Sequence, residues 1–448
     1  MGDRNLESKN KFWKGVLVGV LVTAFAGLIV VGGAAGIFLI GRSVMDNRTI
    51  VQSQAGERSE EGGLSINWSQ VEVKAQRLRS IIDQYFLFEK DSEKVEEYIY
   101  KGLMAGLDDP YSVYYTKEEF NDLMEDTTGE YCGIGAQVSK SIATGVISIA
   151  KVFKGTPAEE AGLRAGDIFY AVGDMEITSD MDLDILVKQH VKGEEGTKVH
   201  LKMFRPSIED YIEFDVTRRK IEVPTVEYEM KEDGIGYLQV SQFDDVTTEQ
   251  FKKAIEQMES QGMNGLLIDL RGNPGGVLDV AVDMIDYMLP DYLTEYSKGK
   301  ANTLIVSTAD KDEEGESYYC DDGHSFDLPV VILMDGNSAS ASEVFSGALR
   351  DYGRAKLVGT TSFGKGIVQT LIPLGDGSAV KLTTAHYYSP SGFDLHGIGL
   401  EPDVEIAFEY PEGLENGEEL KDEDDNQLQK GMEVLREMIT EAGISPAA

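Results

Sequence analysis

Between Val330 and Pro373 the chain runs VVILMDGNSASASEVFSGALRDYGRAKLVGTTSFGKGIVQTLIP, a stretch that limits the fold more than any other. The apolar run from Val330 to Met334 stops at Asp335-Gly336-Asn337. An alternating small-residue segment, Ser338-Ala339-Ser340-Ala341-Ser342-Glu343, then leads into an amphipathic run through Arg350. The pattern predicts strand, turn and helix. Small residues at such a junction let a backbone approach a substrate, and the free N–H groups of a helix start favour developing negative charge.

A serine nucleophile needs a base, and Lys365 stands out downstream, held between Gly364 and Gly366 with Gln369 four residues on. Keeping a lysine neutral near pH 7 costs roughly 4–5 kcal/mol, which burial or nearby positive charge would have to supply. The flanking glycines permit that burial. The plainer reading of any lone pair of this kind makes Ser338, Ser340 and Ser342 cap or turn residues and Lys365 a solvated loop cation.

The whole stretch resembles the carboxy-terminal processing proteases, serine endopeptidases with a Ser–Lys dyad. Their serine segment matches Asn337 to Glu343, their DYGRAxxVG continuation Asp351 to Gly359, and their lysine segment Ser362 to Gln369. The resemblance implies Ser340 as nucleophile, Lys365 as base and Gln369 as the amide that orients the lysine. Ser362 departs from the more common threonine. It also implies a crotonase-like spiral for the α/β core.

Two rival chemistries use the same residues. Gly359-Thr360-Thr361-Ser362-Phe363-Gly364-Lys365 fits the start of a phosphate-binding loop, but Gly366 stands where Ser or Thr must hold magnesium, and Ile367 to Ile372 favours strand over helix. A Ser–His–Asp triad would draw on one of five histidines, His386 or His396 first, and neither sits in a motif. A catalytically inactive PDZ-bearing membrane scaffold is the competing class.

At 448 residues the chain has room for several cores. Its 79 acidic and 41 basic residues give a net charge of −38, which argues against nucleic acid as a partner. Cys132 and Cys320 make no disulfide framework, although a single bridge stays open, and without CxxC or HExxH no metal or cofactor is expected.

Residues 1–14 read as a basic cytoplasmic flank. Residues 15–41, uncharged and largely apolar, are long enough to cross a ~30 Å hydrocarbon layer. A retained anchor is preferred to a cleaved signal peptide, whose apolar core is usually ~7–15 residues. The catalytic part would then lie outside the cytoplasm. Residues 42–66 read as a tether, and 67–125 as packed helices with apolar residues at helical spacing (Val71, Val73, Leu78, Ile81, Ile82, Tyr85). Gly106 to Ser112 resembles the family's GLDDPYS segment, in a region often used for self-association, so a homo-oligomer is compatible.

Residues 126–205 form the next unit. A turn at Gly133-Ile134-Gly135-Ala136, followed by Gly155 to Asp167, resembles a mainly-β PDZ domain. Such a turn exposes successive N–H groups to a terminal carboxylate, and the strand after it can pair with a peptide, so the expected partners are proteins or peptides with free, hydrophobic C-termini. From 206 to 407 strands and helices alternate as in an α/β core. Asp269 to Gly276 resembles the family's DLRxNPGG loop, which implies that Gly275 or Gly276 joins the Ala341 amide in an oxyanion hole. Arg271 suits a structural ion pair. Residues 408–448 read as an acidic tail with a short helix from Leu428 to Ile439.

Overall fold

The computed structural model describes residues 64–411 and 420–444. The expected anchor at 15–41 and most of the tether lie outside the described residues. Among those described, no helix is long and apolar enough to cross a membrane.

The central sheet is built from β10 (Val226–Met230), β11 (Ile235–Val240), β12 (Gly265–Asp269), β15 (Val330–Met334), β16 (Ala355–Gly359) and β19 (Val404–Glu405), in that spatial order. All its pairings are parallel except β10 with β11. Every residue of β12 and β15 is buried. That is why both read as unbroken apolar runs: a parallel strand covered on two faces has no solvent side. On one face Leu266, Ile268, Ile332 and Met334 pack with α5 (Thr247–Ser260), α6 (Leu278–Met288) and α7 (Ala341–Asp351). On the other, Leu267, Val331 and Leu333 pack with Leu428, Leu435 and Ile439 of α8 (Asn426–Glu441).

The helix α8 corrects the reading of 408–448 as acidic tail. Its sixteen residues, which include the short helix expected at Leu428 to Ile439, cover a sheet face that would otherwise meet water. The acidic run ahead of it hides this in the sequence, while the apolar stripe within 426–441 is what counts.

A second, antiparallel sheet runs β1 (Val113–Tyr115), β18 (Ala379–Tyr388), β13 (Leu304–Asp310) and β14 (Ser317–Tyr319), with β17 (Ile367–Pro373) also on β18. It brings the lysine segment beside the serine segment. The strand at β17 follows Lys365 directly, which removes the phosphate-loop reading, since that motif needs a helix there.

Between β1 and β10 in the chain lies a separate β-unit with its own core of Ile147, Ile149, Phe169, Leu186, Leu201 and Met203. Its strands β3 (Ala136–Lys140), β4 (Ile147–Val152), β5 (Ile168–Val172), β7 (Lys198–Arg205) and β8 (Asp210–Thr217) are antiparallel neighbours in that order. The expected boundary at 205 therefore falls short: β8 belongs to this unit, with Phe214 and Val216 in its core. Two short strands, β2 (Glu130–Gly133) and β9 (Arg219–Glu222), pair as a stem at its base.

The helices expected to pack near the N-terminus, α1 (Trp68–Tyr85) and α2 (Ser92–Ala105), exist but bury no residue. Val73 and Tyr85 are 68% and 70% exposed. Their apolar periodicity is real, yet the only ring packing on it among the described residues is that of Tyr100 of α2 against Tyr114 of β1, at 5.3 Å.

Candidate active site

The turn after β15 fixes three serines differently. Ser338 Oγ donates to the Leu270 carbonyl (2.8 Å) and accepts from the Asp335 N–H. Ser342 Oγ donates to the Asn273 carbonyl (3.0 Å). Both hydroxyls are used to bind the turn to the 270–273 loop. No hydrogen bond ties the Ser340 hydroxyl to another segment among the described residues. It lines a small pocket with Gly276, Ala341, Val344, Gln369 and Tyr387. Ser340 also sits at φ 55° and ψ −117°, a conformation that non-glycine residues rarely adopt and that costs of order 1–3 kcal/mol. The turn thus places this one side chain at the pocket.

Lys365 is 5% exposed. Burial lowers its pKa from the usual 10.5 to about 8, against the raising influence of the Glu343 and Asp109 carboxylates. No Ser340 Oγ to Lys365 Nζ hydrogen bond is present among the described residues. The two segments are instead joined through their backbones. The Glu343 carboxylate accepts from the N–H groups of Ser340, Lys365 and Gly364 (2.8, 2.8 and 2.7 Å) and from the Ser362 hydroxyl. Tyr387 donates from its hydroxyl to the carbonyls of Ser340 and Lys365. Burial pushes the Glu343 carboxyl up, and these donors pull it back down.

The oxyanion candidates separate by their hydrogen bonds. Gly275 N–H already donates to Asn273 Oδ1 (2.8 Å), while its carbonyl accepts from Phe243. The amides of Gly276 and Ala341 have no acceptor among the described residues, and both residues line the pocket. Gly275 is needed for another reason: a Cβ there would lie 2.8 Å from Ala341 N and 2.6 Å from the Ala339 carbonyl. Gln369, 1% exposed, donates weakly to the Ile367 carbonyl (3.3 Å), and its Oε1 has no partner among the described residues. It faces the pocket, but the expected bond to Lys365 is not made.

His386 and His396 stack edge to face at 5.3 Å and line no part of this pocket. Arg271 takes the structural role expected of it, bridging Asp269 (2.6 Å) and Asp425 (2.8 Å). The 269–276 loop is thereby fastened to α8. Cys132 and Cys320 are both free thiols.

In the β-unit, Gly135 has φ +83°, and a Cβ there would meet Thr156 at 2.3 Å. Its carbonyl accepts from Phe153 N–H, and the Ile134 carbonyl accepts from Ala158 N–H, at the start of α4 (Pro157–Ala161). Burial pushes the Tyr131 hydroxyl up to about 12, and the nearby Gly135 and Ala136 amides pull it back. A Cβ on Gly133 would meet the Tyr131 ring at 2.7 Å. Gly133, Ile134, Gly135 and Ala136 thus make one turn between β2 and β3, beside Tyr131.

Sequence reasoning missed Glu343, Tyr387 and Tyr131. Glu343 had a signal, the Ser-x-x-Glu spacing of a capping box from Ser340. Tyr387 and Tyr131 had none, because their partners lie far away in the chain or depend on a turn's geometry.

The α/β core, the separate β-unit and the placed serine define a PDZ-bearing serine-type peptidase. The model of peptidase family S41 matches residues 234–406, and that of a PDZ domain residues 148–203. A protein of Staphylococcus haemolyticus (strain JCSC1435) described as "Probable CtpA-like serine protease" is 35% identical over 373 residues, 83% of this chain and 72% of that protein. One of Staphylococcus aureus (strain COL) with the same description is 36% identical over 335 residues, 74% of this chain and 64% of that protein. Among solved structures, a photosystem II D1 C-terminal processing protease shows 27% identity and a TM-score of 0.43, covering 74% of this chain and 86% of that one. The chain belongs to peptidase family S41, among the CtpA-like serine proteases.

Proposed function

We propose that the chain is a membrane-anchored endopeptidase that cleaves unstructured or C-terminal regions of proteins outside the cytoplasm by a Ser340–Lys365 dyad. The observation that carries this reading is the contrast among the serines: Ser338 and Ser342 are bonded into the turn, while strained Ser340 is presented to the pocket. Neutral Lys365 takes the Ser340 proton as Oγ attacks the scissile carbonyl, and returns it to the leaving amine. Gly276 and Ala341 N–H groups receive the oxyanion. Water then attacks the acyl-serine, with Lys365 again accepting the proton. Gln369, already at the pocket wall, orients the lysine once substrate is bound. No cofactor enters this scheme.

The PDZ cradle at Gly133 to Ala136 recognises a free C-terminus, and its occupancy gates the site. Residues 15–41 supply the anchor, the crotonase-like spiral belongs to the same family reading, and the uncovered faces of α1 and α2 suit a second copy of the chain. The test is cleavage of an unfolded protein by the purified full chain, compared with Ser340→Ala and Lys365→Ala. Both variants should remain folded and lose cleavage. Retained activity in folded Lys365→Ala removes the dyad.

A further inference from the structure

Asp109-Pro110-Tyr111-Ser112 lies more than 250 residues before the lysine segment and just after α2, in a region the sequence assigns to helices or self-association. In the structure it is fastened to β18. Asp109 Oδ2 accepts from the hydroxyls of Ser112 (2.5 Å) and Thr383 (2.6 Å), Oδ1 accepts from Tyr111 N–H (3.0 Å), and Ser112 Oγ accepts from Thr383 N–H (3.0 Å). Tight bonding of this turn has one outcome for the catalytic segment: the Tyr111 ring lies over Lys365, with Nζ 4.6 Å from the ring centroid. Resting on the dyad reading above, we propose that Tyr111 is a positioning residue for the base, its ring lying against the Lys365 ammonium site and keeping water from it.

Two influences of the ring oppose each other. Its face attracts an ammonium, which favours the charged lysine. Its bulk excludes water, which favours the neutral one, and burial can move a lysine pKa by up to about 3–5, more than a ring face does. Exclusion of water therefore dominates, in line with the direction already given for Lys365. The other groups facing Lys365 are Glu343 at the start of α7, Asp109 in the turn, and Lys381 and Tyr387 on β18. Both carboxylates favour the ammonium, and a charged Lys381 opposes it. Of these, Tyr387 is held to the Lys365 carbonyl through its hydroxyl, while the Tyr111 ring is the one that lies over Nζ. The Tyr111 hydroxyl has no part in this, so phenylalanine should serve as well.

The test reads the lysine directly. The full chain carrying Ser340→Ala is labelled with trace acetic anhydride across the alkaline range, and the midpoint for acetylation of Lys365 is followed by mass spectrometry. Tyr111→Phe should leave the midpoint unchanged, and Tyr111→Ala should raise it by about one pH unit as water reaches Nζ. In chains retaining Ser340, the acid limb of the kcat profile should move by the same amount, with the plateau rate largely recovered at higher pH. If Tyr111→Ala does not fold, Tyr111→Gln keeps part of the bulk, brings polar atoms to the amine and should move the midpoint the same way. An unmoved midpoint in the folded alanine or glutamine variant overturns the proposal, as does a shift in Tyr111→Phe equal to that in Tyr111→Ala. Because acetylation needs no turnover, a failure of the dyad reading shows separately, as cleavage retained by Lys365→Ala.

Discussion

Glu343 Oε2 accepts from the N–H of Ser340 and the N–H of Lys365, both at 2.8 Å, so one buried carboxylate holds the Ser340 and Lys365 segments together. Glu343→Ala would leave the Ser340, Gly364 and Lys365 amides and the Ser362 hydroxyl without their acceptor. At about 1–3 kcal/mol for each buried unpaired donor, the loss should exceed ~4 kcal/mol and register as a large fall in urea midpoint. Glu343→Gln removes the charge that raises the Lys365 pKa. If it folds, the acid limb of its rate profile should move to lower pH, opposite in sign to Tyr111→Ala. A shift to higher pH would contradict the electrostatic role.

Activity should depend on pH through Lys365 itself. The base must be neutral, and its pKa is about 8, so with chemistry limiting the rate should fall about tenfold per pH unit well below that value and level off above it. A rate flat from about pH 5 to pH 9 would count against a lysine base.

The same shift makes Lys365 a cost to stability. Its pKa is 10.5 ordinarily and about 8 in the fold, so the unfolded chain holds the extra proton between those values. Stability therefore rises with pH across that window, and below about pH 8 the full penalty stands, on the order of 3 kcal/mol. Lys381, lowered to about 7 by burial and then by Lys365, contributes in the same direction. Lys365→Met should raise the melting temperature at neutral pH while abolishing cleavage. A lower melting temperature would mean that the ammonium is stabilising where it lies.

Arg271 joins the 269–276 loop to α8 through Asp269 and Asp425. Asp425→Ala leaves Arg271 with one carboxylate and Gln427, and should cost roughly 3 kcal/mol. Because Arg271 sits five residues before Gly276, kcat should fall with little change in KM if the oxyanion amide moves. An unchanged kcat in the folded variant would confine the bridge to stability.

The contrast between Arg271 and Asp425 shows what the sequence could carry. Local signals located the turn at Ser340, the strand after Lys365 and the glycine loop, since each depends on residues within a few positions of it. Arg271 announced an ion pair, but its partner Asp425 lay among neighbouring acidic residues that all look solvated. Tyr111 and Tyr387 were equally silent, because their roles depend on β17 and β18 bringing distant segments together. The apolar spacing of α1 and α2 announced burial, and the helices formed, yet neither buries a residue among those described. Periodicity identifies a face and leaves its partner open.

The PDZ cradle gives a binding prediction. The Gly135 and Ala136 amides lie near enough to the Tyr131 hydroxyl to lower its pKa, so a peptide carboxylate bound at them would compete with that oxygen. Tyr131→Phe removes the competitor and should tighten binding of a hydrophobic C-terminal peptide severalfold by calorimetry. Gly135→Val, with a Cβ 2.3 Å from Thr156 at φ +83°, should abolish binding. Weaker binding by Tyr131→Phe would show that the hydroxyl assists the ligand.

Gating requires a physical route from that cradle to the catalytic pocket, and one can be followed. The stem strands β2 and β9 meet α3 (Lys117–Thr128) at Gly129, whose carbonyl accepts from Val223. The Thr127 carbonyl accepts from Asp245 N–H, and Gly129 leaves no room for a Cβ beside Val246 (2.7 Å), so the stem lies close against the loop 243–246. In that loop Phe243 donates to the Gly275 carbonyl and accepts from Val277, holding Gly275 and Gly276 between. A movement of the stem therefore reaches Gly276 through contiguous contacts. Binding energy at the cradle should be able to shift that loop. Adding the hydrophobic peptide should raise turnover of a second substrate that does not use the cradle. Gly135→Val should lose this response by losing the ligand. Val246→Ala should bind the peptide normally and respond less, because the contact between stem and loop is loosened. If the peptide only competes, or if Val246→Ala responds fully, the PDZ domain docks substrates without reaching the oxyanion loop by this route.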